Sequence, residues 1–361
     1  MEEIKDINEM LDLMIQPAFS VVDGHICHLN AAAASLLLEQ GAAVADLLHT
    51  GENEYAAFQD GSLYLTLCIG KQHCGASVRR IGKTDVFVLE SDTHQAELQA
   101  MALAAKELRQ PLSNVMIIAD RMFPIAGKDD DPILQDQVAR INRGLYQMLR
   151  IIGNLSDAYR YNKDPGEQQQ TRDICAFLKE MLAEHAELLK NIPITLSYTI
   201  PSEKLYCLVD EEKLERALSN IISNAVKFSA PGDQIDAALV RKGDLLYLTV
   251  RDQGSGIAPA QRSNVYSRYL REPGIEDSRY GIGLGMVLIR SAATAHGGTI
   301  LIEQPKDGGT QITMTMKIRQ SASQFVHSPT QFIDYAGERD HKLIELSETL
   351  PANVFKKENI N

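Results

Sequence analysis

The sequence predicts a multidomain α+β protein in which a helical hairpin separates two segments that mix strands and helices. Three observations predict this fold class. Strand-like runs with tight turns occupy residues 1–92, two helices with heptad-spaced apolar residues occupy 93–165, and strands alternate with amphipathic helices in 166–318. Residues 319–361 form a C-terminal tail. A chain of 361 residues is also too long for one small core, so two or three domains are expected.

The composition favours a cytoplasmic protein that does not bind nucleic acid. Lysine and arginine number 36 against 48 acidic residues, a net charge of −12, whereas a nucleic-acid surface needs a basic patch. The 5 cysteines are odd in number and scattered, which fits reduced thiols. No apolar run reaches the roughly 18–20 residues of a membrane span, and the acidic N-terminus does not resemble a signal peptide.

The first 92 residues have the pattern of a small antiparallel sheet. Strands are predicted for Ala18–Val22 and His25–Leu29 around an Asp23-Gly24 turn, and Asn30 is expected to cap a helix over Ala31–Leu38. Three further strands are predicted, at Ser62–Ile69, Cys74–Arg80 and Asp85–Leu89.

This order of two strands, short helices and three antiparallel strands resembles that of a PAS sensor domain. The string VVDGHICHLNAAAASLL resembles the opening of that family. Such a domain would bind a ligand or transmit a signal through a dimer, and the sequence leaves both open. A metal site built on His25, Cys27 and His28 is disfavoured, because alternate residues of a strand point to opposite faces and His28 points away from the other two.

Two helices with heptad spacing predict an antiparallel hairpin. Such a hairpin buries only part of its apolar surface alone, so we expect a homodimer that forms a four-helix bundle. Pro111 lies within the first helix and predicts a kink there. The heptad residues are Leu98, Met101, Ala105, Leu108, Leu112, Val115, Ala119 and Met122 in the first helix, and Leu134, Val138, Ile141, Leu145, Met148, Ile152, Leu155 and Tyr159 in the second.

A third segment carries residues suited to a nucleotide. A helix is predicted over Glu211–Phe228, where Asn220 and Asn224 are four residues apart and therefore share a face with Lys227. An amide oxygen can ligate Mg²⁺ without adding charge, and a lysine can neutralise phosphate. Taken alone, the pattern would favour two solvated asparagines on a helix.

Three glycine-rich strings follow at the ends of predicted strands or helices. A carboxylate such as Asp252 at a strand end can accept from the exocyclic amine of adenine, while glycines let the backbone approach the ring. Glycines that open a helix leave backbone N–H groups free for phosphate. The strings are Asp252-Gln-Gly254-Ser-Gly256-Ile257, Gly281-Ile-Gly283-Leu284-Gly285 and Asp307-Gly-Gly-Thr310.

In this order the motifs resemble the N, G1, G2 and G3 boxes of the GHKL ATPases, and of sensor histidine kinases in particular. The resemblance implies an α/β sandwich, a mixed sheet with helices on one face, that binds ATP and Mg²⁺. By resemblance, Asn220, Asn224 and Lys227 would hold Mg²⁺ and the phosphates, with Asn224 as the metal ligand. Phe228 and Asp252 would contact adenine, the glycines would shape the lid, and Arg271 or Arg279 would reach the γ-phosphate.

The hairpin string Lys106-Glu-Leu-Arg-Gln-Pro-Leu112 stands where histidine kinases carry a motif like HELRTPL. Lys106 takes the phosphoacceptor position, beside Glu107. A neutral imidazole offers a nucleophilic nitrogen near pH 7, whereas a lysine ammonium has no free lone pair. Autophosphorylation at this site is therefore doubtful, although the family resemblance still implies a response regulator as partner.

Three functions remain open for this histidine-kinase-like protein. It is a dimeric ATP-binding regulator, or a response-regulator phosphatase in which Gln110 orients a water molecule, or a kinase that phosphorylates a residue of a partner. Gln110 lies four residues after Lys106, where the family's phosphatases carry a polar residue.

Overall fold

The structure is a computed structural model that describes residues 2–36, 38–90, 93–126, 132–163, 169–257, 284–319 and 339–356. Its helices are α1 Glu2–Asp12, α2 Ala31–Ala34, α3 Glu52–Ala57, α4 Thr93–Ala126, α5 Pro132–Lys163, α6 Ile174–Leu189, α7 Glu211–Phe228, α8 Gly285–Ala295 and α9 His341–Glu345, with 3₁₀ turns at Val44–Leu47 and Ala352–Phe355. Its strands are β1 Ala18–Val22, β2 His25–Leu29, β3 Ser62–Ile69, β4 Gln72–Ile81, β5 Thr84–Leu89, β6 Gln170–Asp173, β7 Thr195–Thr199, β8 Tyr206–Val209, β9 Gln234–Lys242, β10 Leu245–Arg251, β11 Ile300–Glu303 and β12 Gln311–Lys317. None of the described helices is both long and apolar enough to cross a membrane.

The N-terminal segment forms the antiparallel sheet that the sequence predicts, in the order β2-β1-β5-β4-β3. Asp23 and Gly24 make the β1–β2 turn with positive φ angles of 49° and 77°. Asn30 caps α2, since its Oδ1 accepts from the backbone N–H of Ala33 at 2.9 Å. The predicted helix over Ala31–Leu38 is shorter than expected and ends at Ala34, where the Ser35 hydroxyl donates to the Ala32 carbonyl at 2.7 Å.

The hairpin helices α4 and α5 pack against each other, and α4 continues unbroken through Pro111. Only part of each predicted apolar seam is buried. Ala105, Leu112 and Leu145 lie in the core of the chain. Four other seam residues are about half exposed, at 53% for Leu108, 50% for Val115, 53% for Ile141 and 46% for Met148.

After the hairpin, five strands are ordered β11-β12-β10-β9-β7, antiparallel except for the parallel pair β7–β9, while β6 and β8 form a separate two-stranded antiparallel sheet. Leu246, Leu248 and Val250 of β10 alternate with less buried residues, so one face of the sheet meets helices α6, α7 and α8 in a common core. This mixed α/β arrangement confirms the predicted class of the segment.

The two sheets are joined edge to edge, which the sequence does not indicate. Strand β3 pairs antiparallel with β11, with Leu63 opposite Leu301, so ten strands form one sheet. Each edge strand thereby satisfies backbone groups that would otherwise face water. Gly61 precedes β3 with φ of 100°, and a Cβ atom there would lie 2.2 Å from the Ile302 carbonyl oxygen. The junction therefore requires glycine at this position.

Residues 339–356 are packed rather than extended. Leu343, Ile344, Leu346, Leu350 and Phe355 are buried in the same core as α5 and α7. The Phe355 ring meets Tyr146 of α5 edge to face, with ring centroids 5.3 Å apart. This part of the predicted tail is thus an integral piece of the fold.

We expect Gly61→Ala to weaken the β3–β11 junction, because the added methyl group meets the Ile302 carbonyl and the left-handed backbone disfavours a side chain. The total loss in free energy of unfolding should be about 2–4 kcal/mol. Gly41→Ala is the matched control, since Gly41 has φ of 87° with no atom within 4 Å of its Cβ position. Hydrogen exchange should become faster in β3 and β11 for Gly61→Ala only; equal protection in both variants would contradict the requirement.

Candidate nucleotide site

Helix α7 is the element that positions the first group of candidate residues. The Asp210 carboxylate caps it by accepting from the backbone N–H of Lys213 at 3.1 Å. Glu211 and Glu212 lie in the first turn and Lys227 in the last, each favourable to the helix dipole. Its apolar side is buried, through Leu214, Leu218, Ile221, Ile222 and Ala225.

Asn220 is buried between α7 and the start of α8. Its side-chain amide donates to the Arg216 carbonyl at 2.9 Å. Its Oδ1 faces Gly285, where a Cβ atom would lie only 2.7 Å from that oxygen. Asn224, one turn later, is half-buried. The absence of a side chain at Gly285 thus lets the first turn of α8 approach the predicted metal-and-phosphate face of α7.

Asp252 stands at the end of β10 and is nearly buried. Its Oδ1 accepts from the backbone N–H of Gly254 at 2.9 Å and of Thr310 at 3.1 Å. Burial raises the pKa of this carboxyl above its ordinary value, while the two backbone hydrogen bonds act in the opposite direction. Among the described residues no hydrogen bond to Oδ2 is found, so that oxygen is available to a donor. The carboxylate is therefore held in one orientation.

Glycines bring the G1 and G3 strings into direct backbone contact with each other and with α7. A Cβ atom at Gly254 would lie 2.3 Å from the Phe228 carbonyl oxygen, and one at Gly309 would lie 2.0 Å from that of Asp252. Gly256 has φ of 70° and lies against Gly309. Larger residues at these positions would push the strings apart.

The structure thus brings Phe228, Asp252, Gly254, Gly256 and Thr310 together through a series of contacts, while Asn220 meets Gly285 about two turns earlier on α7. Ile257 packs half-buried against the same core, and the buried Leu284 precedes α8, whose N-terminus has no side-chain cap. Arg271, Arg279, Gly281 and Gly283 lie outside the described residues, so their predicted roles remain predictions.

Lys227 has a partner that sequence reasoning missed. Its ammonium lies 2.7 Å from Glu348 Oε2, in the C-terminal segment. Arg150 of α5 also reaches Glu348, at 2.6 Å. No motif marks Glu348 in the sequence; the only signal nearby is the apolar spacing of Leu343, Leu346 and Leu350.

The hairpin candidates form a separate, exposed group on α4. Lys106, Glu107 and Gln110 are all exposed. The Gln110 amide donates to Asn114 Oδ1 at 3.2 Å, one turn further along the helix. Arg109 turns the other way and donates to Ser156 of α5 at 3.2 Å. The predicted phosphoacceptor position is therefore open to solvent and to a partner.

Comparison with known proteins finds a family match in this part of the chain. Residues 209–320 match the family described as histidine kinase-, DNA gyrase B- and HSP90-like ATPases. The chain is 26% identical over 259 residues to the sensor histidine kinase WalK of Bacillus subtilis, covering 67% of this chain and 41% of WalK. It is 27% identical over 235 residues to the sensor histidine kinase RppB of Synechocystis, covering 63% and 50%.

Two further comparisons are informative. The histidine-protein kinase/phosphatase MprB of Mycolicibacterium vanbaalenii is 29% identical over 244 residues, covering 64% of this chain and 48% of MprB. The crystal structure of full-length ShkA in complex with AMPPNP has a TM-score of 0.50 at 19% identity, covering 62% of this chain and 47% of ShkA, which supports the fold alone.

The chain spans half or less of the length of these three curated relatives. Within that span, the boxes predicted from sequence and the contacts between them fall in the region matched by the ATPase family. The chain therefore carries an ATPase domain of the histidine kinase-, DNA gyrase B- and HSP90-like type and is similar to sensor histidine kinases.

Proposed function

We propose that the chain binds Mg-ATP between α7, the G1 and G3 strings and α8, as part of a dimeric two-component signalling protein. The observation that carries the proposal is Asp252, whose Oδ1 is fixed by two backbone amides at 2.9 and 3.1 Å beside glycines that leave no room for a side chain. A buried, oriented carboxylate with one free oxygen is suited to accept from the exocyclic amine of adenine.

The remaining groups fit the other parts of the nucleotide. Phe228, half-buried at the end of α7, would lie against the adenine ring. The uncapped N-terminus of α8 offers backbone N–H groups to phosphate, and Asn220 borders it. Lys227 would neutralise phosphate charge, as Arg271 or Arg279 would from the lid.

Asn224 is the proposed ligand for Mg²⁺. Its amide oxygen adds no charge, and the described residues contain no cluster of three or more His, Cys, Asp or Glu side chains suited to a metal. The donor set therefore fits an ion that is held mainly by phosphate oxygens and water, as Mg²⁺ commonly is. When bound, the ion would neutralise the triphosphate charge.

Three domains organise the proposed protein, at residues 1–92, 93–165 and 166–318, with the tail 319–361. The five-stranded antiparallel sheet with helices between β2 and β3 supports a PAS-like sensor at the N-terminus. The half-exposed apolar residues of α4 and α5 support a homodimer, because a second hairpin would cover them. A response regulator is the partner proposed by analogy with the relatives.

Lys106 limits the chemistry that is proposed. Since a lysine ammonium has no free lone pair, we do not extend the proposal to autophosphorylation at this position. A second candidate function, phosphatase activity on a phosphorylated response regulator, rests on Gln110. Its amide lies on the exposed face of α4 and could orient a water molecule without any phosphoacceptor.

We expect Asp252→Asn to weaken ATP binding about 10- to 100-fold. The Asn side chain turns either its NH2 group, which is a donor, or a neutral oxygen toward the adenine amine, where Asp252 offers a charged acceptor. The variant is nearly isosteric, so the fold should survive. Titration calorimetry measures the affinity, and Asp236→Asn on β9 is the control because its carboxylate bonds Ser197 and Gln234 outside the site. Unchanged affinity in Asp252→Asn would refute the assigned adenine contact.

We expect the chain to be a dimer that Val115→Glu and Met148→Glu together convert to a monomer. Each substitution places a charge on the exposed half of the apolar seam, where a second hairpin would have to bury it. Light scattering after gel filtration gives the mass. Asn114→Glu and Gln137→Glu, exposed polar positions of the same helices, form the control pair. A wild-type monomer at micromolar concentration would argue against the dimer.

For the second candidate, we expect Gln110→Ala to slow dephosphorylation of a labelled response regulator at least about tenfold, because the positioned water is lost. The measurement is loss of label over time with purified proteins. Gln137→Ala removes an exposed amide from α5 and should leave the rate unchanged. If label disappears equally fast with Gln110→Ala and wild type, the phosphatase candidate is wrong.

A further inference from the structure

We propose that the C-terminal segment 339–356 is a built-in competitor of the nucleotide phosphates, with Glu348 bound to the lysine that ATP would use. This inference rests on the proposed ATP site. It goes beyond that proposal because it assigns the segment a regulatory role, in which segment docking and phosphate binding oppose each other at Lys227.

The first support is that the segment is firmly docked. Six of its apolar side chains are at most 5% exposed and share the core of α5 and α7. Those residues are Leu343, Ile344, Leu346, Leu350, Val354 and Phe355. Glu345 and Ser347 are fully buried as well. A carboxylate delivered by such a segment has a defined position rather than that of a surface side chain.

The second support is the face of α7 on which the segment lies. Arg216 pairs with Glu345, the Ser223 hydroxyl donates to the Glu345 carbonyl at 3.1 Å, and Lys227 pairs with Glu348 at 2.7 Å. Residues 216, 220, 223 and 227 are spaced by four, three and four, so they share one helix face. The segment therefore occupies the face that carries Asn220 of the predicted N box.

The third support is electrostatic. The Lys227 side chain is only 10% exposed, so water screens its pair with Glu348 less than it would a surface pair. Arg150 contacts the same carboxylate oxygen, Oε2, at 2.6 Å. Burial raises the pKa of Glu348, but Arg150 and Lys227 lower it more, and the net pKa lies below its ordinary value, so the group is ionised near neutral pH.

Two anions at one ammonium repel each other. A triphosphate that approaches Lys227 must therefore displace the Glu348 carboxylate or share the lysine with it. Because such coupling is reciprocal, ATP weakens docking of the segment by the factor by which docking weakens ATP binding.

Release of the segment would also loosen α5 from α7. The Arg143 guanidinium donates to the carbonyls of Ser347 and Glu348 at 3.0 and 2.8 Å, and Asn142 donates to that of Phe355 at 3.0 Å. These bonds tie the hairpin to the segment, and the segment is tied to α7. Competition at Lys227 would thus be transmitted to the contact between the hairpin and the ATPase domain.

The test compares ATP and adenosine binding to the full chain and to Glu348→Gln. The substitution removes the competing charge with little change of shape, so ATP affinity should rise at least about fivefold while adenosine affinity stays constant. Glu187→Gln is the control for net charge, since Glu187 is exposed and, among the residues that the structure describes, forms an ion pair only with Lys190 three residues later. Addition of ATP to wild type should also speed hydrogen exchange in residues 339–356.

The outcomes separate the two proposals. If wild type and Glu348→Gln bind ATP equally, or if adenosine and ATP affinities rise together, the competition is refuted while ATP binding stands. If neither protein binds ATP, the proposed function is wrong and the inference falls with it. Leu350→Ala gives a second variant, because it loosens the segment without a charge change and should raise ATP affinity in the same direction.

Discussion

The buried guanidinium of Arg216 is the contact on which the arrangement of hairpin, ATPase domain and C-terminal segment depends. It is 1% exposed, and it binds Asp157 at 3.1 Å and Asn154 at 2.7 Å on α5 as well as Glu345 on the C-terminal segment. A buried charge is tolerated only with such partners, and removal of one from a buried pair typically costs about 3–5 kcal/mol. Three elements far apart in sequence are therefore held in one geometry.

A second constraint is the close approach of backbones around Asp252. Three glycines from two strings allow the ends of α7, β10 and β12 to touch, and two amides from these strings fix the carboxylate. The result is an oriented hydrogen-bond acceptor in a low-dielectric setting. There, a ligand that leaves the carboxylate unpaired binds at a free-energy cost, so the site selects a ligand with a donor at this position. The chemistry of the proposed adenine contact follows from this packing rather than from Asp252 alone.

The N-terminal sheet reaches the ATPase domain by two further contacts. Strand β3 extends the sheet through β11, and Arg290 of α8 binds Glu90 at 2.5 Å, just after β5. Since α8 begins at Gly285 beside Asn220, the N-terminal segment contacts the middle of the same short helix whose first turn borders the candidate phosphate site. The hairpin is thus not the only structural connection between these two parts.

Local elements and the candidate nucleotide residues could be predicted from the amino-acid sequence alone. Period-two and heptad patterns, the Asn30 cap and the Asp23-Gly24 turn are short-range features, and strands β1, β2 and β3 and helix α7 begin and end as predicted. The order and spacing of the glycine strings pointed to the ATPase domain that the family match supports. The lysine at position 106 and its chemical consequence are likewise visible in the sequence.

The partners of these elements, by contrast, follow from long-range packing. The pairing of β3 with β11 joins backbone groups that any strand offers, so no side-chain pattern marks it. Glu348 is an ordinary acidic residue in the sequence, and its meeting with Lys227 depends on a segment more than one hundred residues away being anchored by buried apolar side chains. Long-range ion pairs carry no local signature, because the charge is set by the residue and the partner by the fold.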